Sequence, residues 1–278
     1  MLDFIKALLF GIVEGITEWL PVSSTGHMIL LNEFVKMNVS AEFWNMFLVV
    51  IQLGAILSVV VLYWNQIFPF DLSKKAIAEK KINRPDIWML WVKIIIACLP
   101  AVVVGLPLDD WIDEHLYNGF VVAVMLILFG ILFIVVETRN KGKESKINSL
   151  DEITFKTALI IGAWQVIAAL LPGTSRSGAT IVGALLLGVS RTVAAQFTFF
   201  LAIPVMFGAS LLKIVKFGFD FTGTEAAILL IGMISAFAVS IFVIRCLMSY
   251  IRKHDFKPFG WYRIALGIVV LGYFAIVK

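Results

Sequence analysis

Long apolar runs alternate along this chain with short polar segments, and six runs can cross a hydrocarbon layer of about 30 Å as helices. They are Phe43–Trp64, Ile87–Leu106, Phe120–Val136, Ala194–Ile214, Ala226–Leu247 and Trp261–Val277. Trp64, Trp88 and Trp261 mark their ends, as interfacial anchoring predicts. Lys93, Pro100 and Pro204 interrupt the runs and read as a snorkelling lysine and two packing kinks. Two further stretches, Asp3–Phe34 and Thr154–Val189, are each a pair of shorter apolar runs broken by a proline and a cluster of Ser, Thr and Gly. Irregular backbone at membrane depth is tolerated only where protein or a water-filled cavity satisfies it, so each stretch predicts a re-entrant helix-loop-helix hairpin.

The two halves echo one another. Phe4, Ala7, Leu8, Gly11, Leu20, Pro21 and Ser24 recur 151 positions later as Phe155, Ala158, Leu159, Gly162, Leu171, Pro172 and Ser175. A second echo, shifted by three more residues, pairs Ala41, Phe43, Gly54 and Ala55 with Ala195, Phe197, Gly208 and Ala209. Each half holds one hairpin that leaves on its side of entry plus three spanning helices. An odd number of crossings turns the second half upside down, so the fold expected is all-α: a single membrane domain over 1–278 built as inverted repeats of about 1–138 and 150–278.

Charge orients this plan. Loops 65–86, 138–155 and 248–260 hold five, four and three Lys or Arg, whereas 107–118 and 217–225 hold none. The three basic loops are therefore expected in the cytoplasm, with both termini and the mouth of the first hairpin outside. The acidic stretch carrying Asp109, Asp110, Asp113 and Glu114 then reads as a solvated external connector rather than a metal site. Composition agrees: 60% of residues are hydrophobic and 15% charged, with a mean hydropathy of +0.97. A net charge of +4 follows from the basic loops, which excludes nucleic acid as the partner that charge implies. The first fifteen residues include Asp3 and Glu14 and lack a positive leader or a small-residue cleavage site, so the mature chain is expected to begin at Met1. Cys98 and Cys246 each lie in apolar sequence and read as small hydrophobes, not as a disulfide or metal pair.

Chemistry concentrates in the two hairpins. The first reads Glu14-Gly-Ile-Thr-Glu18-Trp-Leu-Pro-Val-Ser23-Ser24-Thr25-Gly-His27. Glu14 and Glu18 share a helical face, and two carboxylates inside apolar sequence are functional by default unless the helix merely lies wet at the interface. Pro21 should end the first helix, and Ser23, Ser24 and Thr25 can cap the next, whose free N–H groups favour an anion. His27, three residues beyond Ser24, can meet it on one face. The second hairpin reads Leu171-Pro-Gly173-Thr174-Ser175-Arg176-Ser177-Gly178-Ala-Thr180. Its glycines allow close backbone approach, its hydroxyls and N–H groups can cradle phosphate, and Arg176 can bind phosphate bidentately or neutralise a glutamate across the repeat interface. No nucleotide P-loop pattern is present. Converged at the midplane, the two loops would suit metal-assisted attack on a phosphoanhydride, with Glu14 and Glu18 holding a divalent cation, Mg²⁺ or Ca²⁺.

These two motifs closely resemble the signatures of the bacitracin-resistance family of undecaprenyl-diphosphate phosphatases, a Glu-x-x-x-Glu followed by Pro-Val-Ser-Ser-Thr-Gly-His and a Pro-Gly-x-Ser-Arg-Ser-Gly-Ala-Thr. Leu-Gly-Val-Ser-Arg at 187–191 and Leu-Ala-Ile-Pro-Val at 201–205 extend the resemblance over essentially the whole chain. It implies removal of the terminal phosphate from undecaprenyl diphosphate, a C55 lipid, to give the monophosphate reused in peptidoglycan assembly, and hence bacitracin tolerance. It implies further that Glu14 and Glu18 are the essential acidic pair, Ser24 and His27 the catalytic core and Arg176 the phosphate-binding arginine. A divalent cation and a site open to the periplasmic or outer side of the bacterial plasma membrane complete the implication.

On this reading Ser23, Thr25, Gly173, Thr174, Ser175, Ser177 and Thr180 line the diphosphate site beside the catalytic Glu18, Ser24, His27 and Arg176. The nucleophile is either Ser24, deprotonated by His27, or water. Partners are the lipid substrate and the surrounding membrane lipid, with a homodimer allowed. A polyprenyl-phosphate transporter or flippase is the competing class, because inverted repeats with broken helices are a common transporter plan.

Overall fold

The computed structural model describes residues 1–79 and 81–277, setting aside the side chains of Asp109, Asp110, Asp113 and Val277. The chain is all-helical, in the order α1 (Leu2–Thr17), α2 (Ser24–Phe34), α3 (Ala41–Leu62), α4 (Trp64–Ile67), α5 (Lys74–Ala78), α6 (Pro85–His115), α7 (Gly119–Asn140), α8 (Phe155–Leu170), α9 (Arg176–Leu186), α10 (Arg191–Phe217), α11 (Gly223–Ile251) and α12 (Lys257–Val277). Six of these, α3, α6, α7, α10, α11 and α12, are long and apolar enough to cross a membrane. They coincide with the six runs expected, and the protein is a multi-pass membrane protein. Their outer faces carry Val103, Phe207, Ile234 and Phe242, all more than half exposed, a distribution suited to lipid and not to water.

Local signals set the boundaries. Pro85 opens α6, where its missing N–H costs nothing. Ser40 and Asn118 cap α3 and α7 through their side chains, and Thr222 and Glu225 form a reciprocal capping box on α11. Pro100, Pro107 and Pro204 are absorbed inside continuous helices. The stretch 107–118 departs from its expected form: α6 runs on to His115, so the solvated connector shrinks to Leu116–Asn118. Of its acidic residues Glu114 is exposed, while the side chains of Asp109, Asp110 and Asp113 lie outside the described residues. Lys93 departs from the snorkelling form expected: it is buried, and its ammonium donates to the Asp151 carbonyl at 3.1 Å instead of reaching water. Cys98 is buried, Cys246 is exposed, and both are free thiols.

Packing places the two helix-break-helix pairs inside the bundle. α1 lies along α11 and α8 along α6, while α3 packs between α10 and α11. α7 and α12 pair with each other and receive α9 and α2. The largest core cluster surrounds Trp19, Phe197, Phe199 and Phe200, so the tip of the first break is embedded in aromatic packing: Trp19 meets Phe199 edge-on at 5.2 Å.

Candidate active site

Each break is closed by the same device. α1 ends at Thr17, well before Pro21, and Glu18 takes the C-cap position with its N–H donating to the Glu14 carbonyl at 3.0 Å. The turn then delivers Ser23 as N-cap of α2 at φ 71°, its hydroxyl accepting from the Gly26 N–H at 3.4 Å. In the other half α8 ends at Leu170, and Ser175 is N-cap of α9 at φ 69°, accepting from the Gly178 N–H at 3.2 Å. These are the only non-glycine residues with positive φ among the described residues. A left-handed serine costs about 1–2 kcal/mol, so two at matching positions indicate loops held by their surroundings. This match corrects the sequence echo. The caps are Ser23 and Ser175, because the second loop carries one more residue between its proline and its cap. Ser24 therefore corresponds in space to Arg176, each being the first residue of its helix.

Those two first residues meet on one carboxylate. The Ser24 hydroxyl donates to Glu18 Oε2 at 2.8 Å, and Arg176 Nη2 pairs with Glu18 Oε1 at 3.1 Å. Arg176 Nη1 is held by the Thr198 carbonyl at 2.9 Å, and the Ser177 hydroxyl donates to the Glu18 backbone carbonyl at 3.3 Å. The ion pair is largely buried, with 11% of the Arg176 side chain and 7% of that of Glu18 exposed. One turn earlier Glu14 is fully buried, and its Oε1 lacks a hydrogen-bond partner among the described residues. The expected convergence of Glu14, Glu18, Ser24 and Arg176 from opposite ends of the chain is present.

The expected Ser24–His27 pair is not formed. The single proton of the Ser24 hydroxyl goes to Glu18, and both ring nitrogens of His27 are engaged elsewhere. His27 Nδ1 lies 2.7 Å from the Ser23 carbonyl and Nε2 lies 2.7 Å from the Tyr262 hydroxyl, with the two rings stacked. Since a carbonyl only accepts, the network assigns the proton to Nδ1 and leaves Nε2 to accept from Tyr262. His27 thus secures the strained cap. Thr180, expected among the phosphate-holding groups, is fully buried; its hydroxyl is occupied by the Arg176 carbonyl at 3.0 Å and the Thr198 hydroxyl at 2.9 Å. It supports the helix bearing Arg176. Ser23 is likewise fully buried as a cap, whereas Ser24, Thr25, Ser175 and Arg176 keep partial exposure. The Ser175 and Ser177 hydroxyls are 3.1 Å apart, and the buried Thr174 hydroxyl has no partner among the described residues.

The residue that sequence reasoning passed over is Arg263 of α12, which is completely buried. Its guanidinium donates to the Pro21 carbonyl at 3.2 Å in the first loop, and to the Gly173 and Thr174 carbonyls at 2.9 and 2.8 Å in the second. Its carbon centre lies 5.7 Å from the Phe129 ring centroid, over the ring. Unwound loops inside a bundle leave carbonyls without helical partners, and a donor-only planar fork satisfies several at once. Gly173 makes the approach possible: it has φ 92°, and a Cβ there would lie 2.6 Å from the Val122 carbonyl oxygen. The available signal was an arginine inside an apolar span, which is a site by default.

Residues 7–269 match the family model of the bacitracin resistance protein BacA. The chain belongs to the BacA family. Among its relatives, undecaprenyl-diphosphatase 1 of Clostridium acetobutylicum is 63% identical over 276 residues, covering 99% of each chain. An undecaprenyl-diphosphatase of Acetivibrio thermocellus is 59% identical over 278 residues, covering all of both chains. One from Enterococcus faecalis is 59% identical over 273 residues, covering 97% of this chain and 98% of its own. In this BacA-family chain the two signature motifs are the two loops that Arg263 ties together and that Glu18 joins.

Proposed function

We infer that this chain hydrolyses undecaprenyl diphosphate to undecaprenyl phosphate and inorganic phosphate, recycling the lipid carrier of peptidoglycan synthesis. The observation that carries this reading is the Glu18 carboxylate shared by Ser24 of one loop and Arg176 of the other. A hydroxyl nucleophile, an acceptor for its proton and a fork for phosphate oxygens stand within one hydrogen-bonded unit, as phosphoryl transfer requires. A pure carrier needs the cation but not the hydroxyl–carboxylate pair.

In the serine route, the Ser24 proton passes to Glu18 Oε2 along the 2.8 Å bond as Oγ attacks the terminal phosphorus. The bond from that phosphorus to the bridging oxygen breaks, and undecaprenyl phosphate leaves. Water then attacks the phosphoserine, inorganic phosphate departs and the serine hydroxyl is restored. In the water route, Glu18 takes the proton of a water and Ser24 only positions it. Arg176 stabilises charge on the transferring phosphoryl oxygens, with Thr25 and Ser175 beside it at the partly exposed rim. His27, backed by Tyr262, holds the Ser23 carbonyl, and Ser23, Gly173, Thr174, Ser177 and Thr180 maintain the loops.

The donor set suits a divalent cation. Glu14 and Glu18 are adjacent buried carboxylates, and the unpartnered Oε1 of Glu14 is an atom that burial leaves in need of a ligand. Mg²⁺ or Ca²⁺ held there would offset phosphate charge, while the protein groups named above bind and move the proton.

We place the two pairs, α1 with α2 and α8 with α9, as re-entrant hairpins. Their helices of 16 and 11 residues reach about 24 and 17 Å, short of the hydrocarbon thickness. An inverted repeat relating α1, α2, α3, α6 and α7 to α8, α9, α10, α11 and α12 is supported by the packing, since it exchanges the α1–α11 and α6–α8 contacts. Gly11 backs onto the Gly232 carbonyl of α11 as its mate Gly162 backs onto the Ala97 carbonyl of α6. Basic loops in the cytoplasm then leave both termini and the catalytic mouth outside the bacterial plasma membrane.

Phosphate release by the purified protein in detergent tests the function, because no vectorial transport exists there. Native protein should release phosphate from a C55 diphosphate, with release suppressed by chelator and by Glu18→Gln or Arg176→Ala. Transport in vesicles without phosphate release in detergent would favour the carrier instead.

A further inference from the structure

A polar cavity of about 470 Å³ lies far from the loops just described. It is formed where the end of α7, the α9–α10 connection and the end of α11 come together. Measured along α7, its wall residue Glu137 stands twelve residues past Met125, whose carbonyl contacts Arg263, or about 18 Å at the helical rise. Five cationic side chains line it: Arg139, Lys143, Lys146, Arg191 and Arg252.

The walls are fixed. Glu137 is fully buried and takes Arg191 bidentately, at 2.9 Å from Nε and 2.6 Å from Nη2, while also accepting the Phe256 N–H at 3.0 Å. The Lys146 and Ile147 N–H groups donate to the Gly188 carbonyl, the Ser190 N–H donates to Ile147, and Asn140 donates to the Leu185 carbonyl at 3.0 Å. Glu137 is thereby consumed, and among the described residues only Glu144 remains as a lining carboxylate against the exposed Arg139, Lys143, Lys146 and Arg252. Topology explains why cations lie on this side of the membrane, but not why four exposed ones surround a single ordered cavity of head-group size.

We propose that this cavity binds the phosphate head group of an anionic membrane lipid. A basic pocket between helices at the membrane surface recognises such groups by charge and by guanidinium geometry. The site is separate from the catalytic one and does not depend on the phosphatase reading.

Thermal unfolding in neutral detergent tests it, with dioctanoyl phosphatidylglycerol, dioctanoyl phosphatidylcholine or inorganic phosphate added. Because the catalytic site also attracts phosphate, every titration is repeated on Arg176→Ala. Phosphatidylglycerol should raise Tm by about 3 °C in both proteins, and the triple variant Lys143→Gln, Lys146→Gln, Arg252→Gln should lose that rise. Without added lipid the triple variant should unfold cooperatively at the native Tm, which shows that it is folded whatever its activity. An undiminished rise in the triple variant, or an equal rise with phosphatidylcholine, overturns the site. A full rise with inorganic phosphate alone overturns the lipid assignment, and loss of the rise in Arg176→Ala assigns the effect to the catalytic site.

Discussion

Ser23 and Ser175, from opposite halves of the chain, adopt the same left-handed conformation at φ 71° and 69° and cap their helices in the same way. Each cap points the next side chain at Glu18, so a hydroxyl and a guanidinium arrive at one carboxylate by equivalent routes. Replacing either serine by glycine removes the backbone cost of about 1–2 kcal/mol along with the cap, and the two changes should nearly cancel in stability. Alanine loses the cap as well but keeps the backbone cost, so Ser175→Ala should be less stable than Ser175→Gly by about 1–2 kcal/mol. Denaturant titration of both variants in detergent measures the difference.

Glu18→Gln and Arg176→Ala should each lower kcat by about 10²–10³. Because both act on one phosphoryl group, the double variant should lose little more than the worse single one. Multiplicative losses in steady-state phosphate release would show that the two residues act independently.

Ser24→Ala separates the two chemical routes. If serine is the nucleophile, kcat should fall at least about 10³-fold, and rapid acid quench of native protein should trap phosphoserine at position 24. If water attacks directly, activity should persist within about tenfold and no labelled serine should form.

Arg263 joins both loops from one buried point. Arg263→Leu leaves the Pro21, Gly173 and Thr174 carbonyls without that donor, at about 1–3 kcal/mol for each group left unsatisfied, and should fold poorly. Arg263→Lys keeps the charge but loses the fork. It should yield folded protein whose kcat is reduced about tenfold with KM little changed, since the loops hold transition-state groups rather than the prenyl chain. Recovery of native kcat in Arg263→Lys would show that charge alone suffices.

His27 acts through Ser23 and Tyr262 in this geometry. Tyr262→Phe removes one hydrogen bond and should cost less than about tenfold in activity, whereas His27→Ala also releases the Ser23 carbonyl and should cost more. Equal and severe losses in both, read from kcat/KM, would point to a proton carried along the His27–Tyr262 pair.

How far the sequence alone could go depended on which forces are local. The six spans were legible because hydrocarbon demands about twenty apolar residues in a row, and the breaks because Pro21 and Pro172 stand beside hydroxyl and glycine clusters where no long helix survives. Glu14, Glu18 and Arg176 stood out as charges that apolar surroundings do not tolerate idly. Spacing on one helix, by contrast, suggested a Ser24–His27 partnership, and the residue-by-residue echo matched Ser24 to Ser175. Both inferences assumed that neighbours in sequence remain neighbours at the site. In the folded chain one extra residue in the second loop moves Arg176 into the place that Ser24 holds in the first, and a tyrosine 235 positions away occupies the His27 ring.

The sequence by itself determined the membrane class, the broken helices and the residue types available for phosphate chemistry, since each follows from hydropathy, backbone stereochemistry or the cost of a buried charge. Tertiary structure alone decided which groups touch. Arg176 joins Ser24 on Glu18, Tyr262 takes the far ring nitrogen of His27, and Arg263 ties the two loops together, because these contacts join residues distant in the chain through the packing of α9 and α12, which no local pattern encodes.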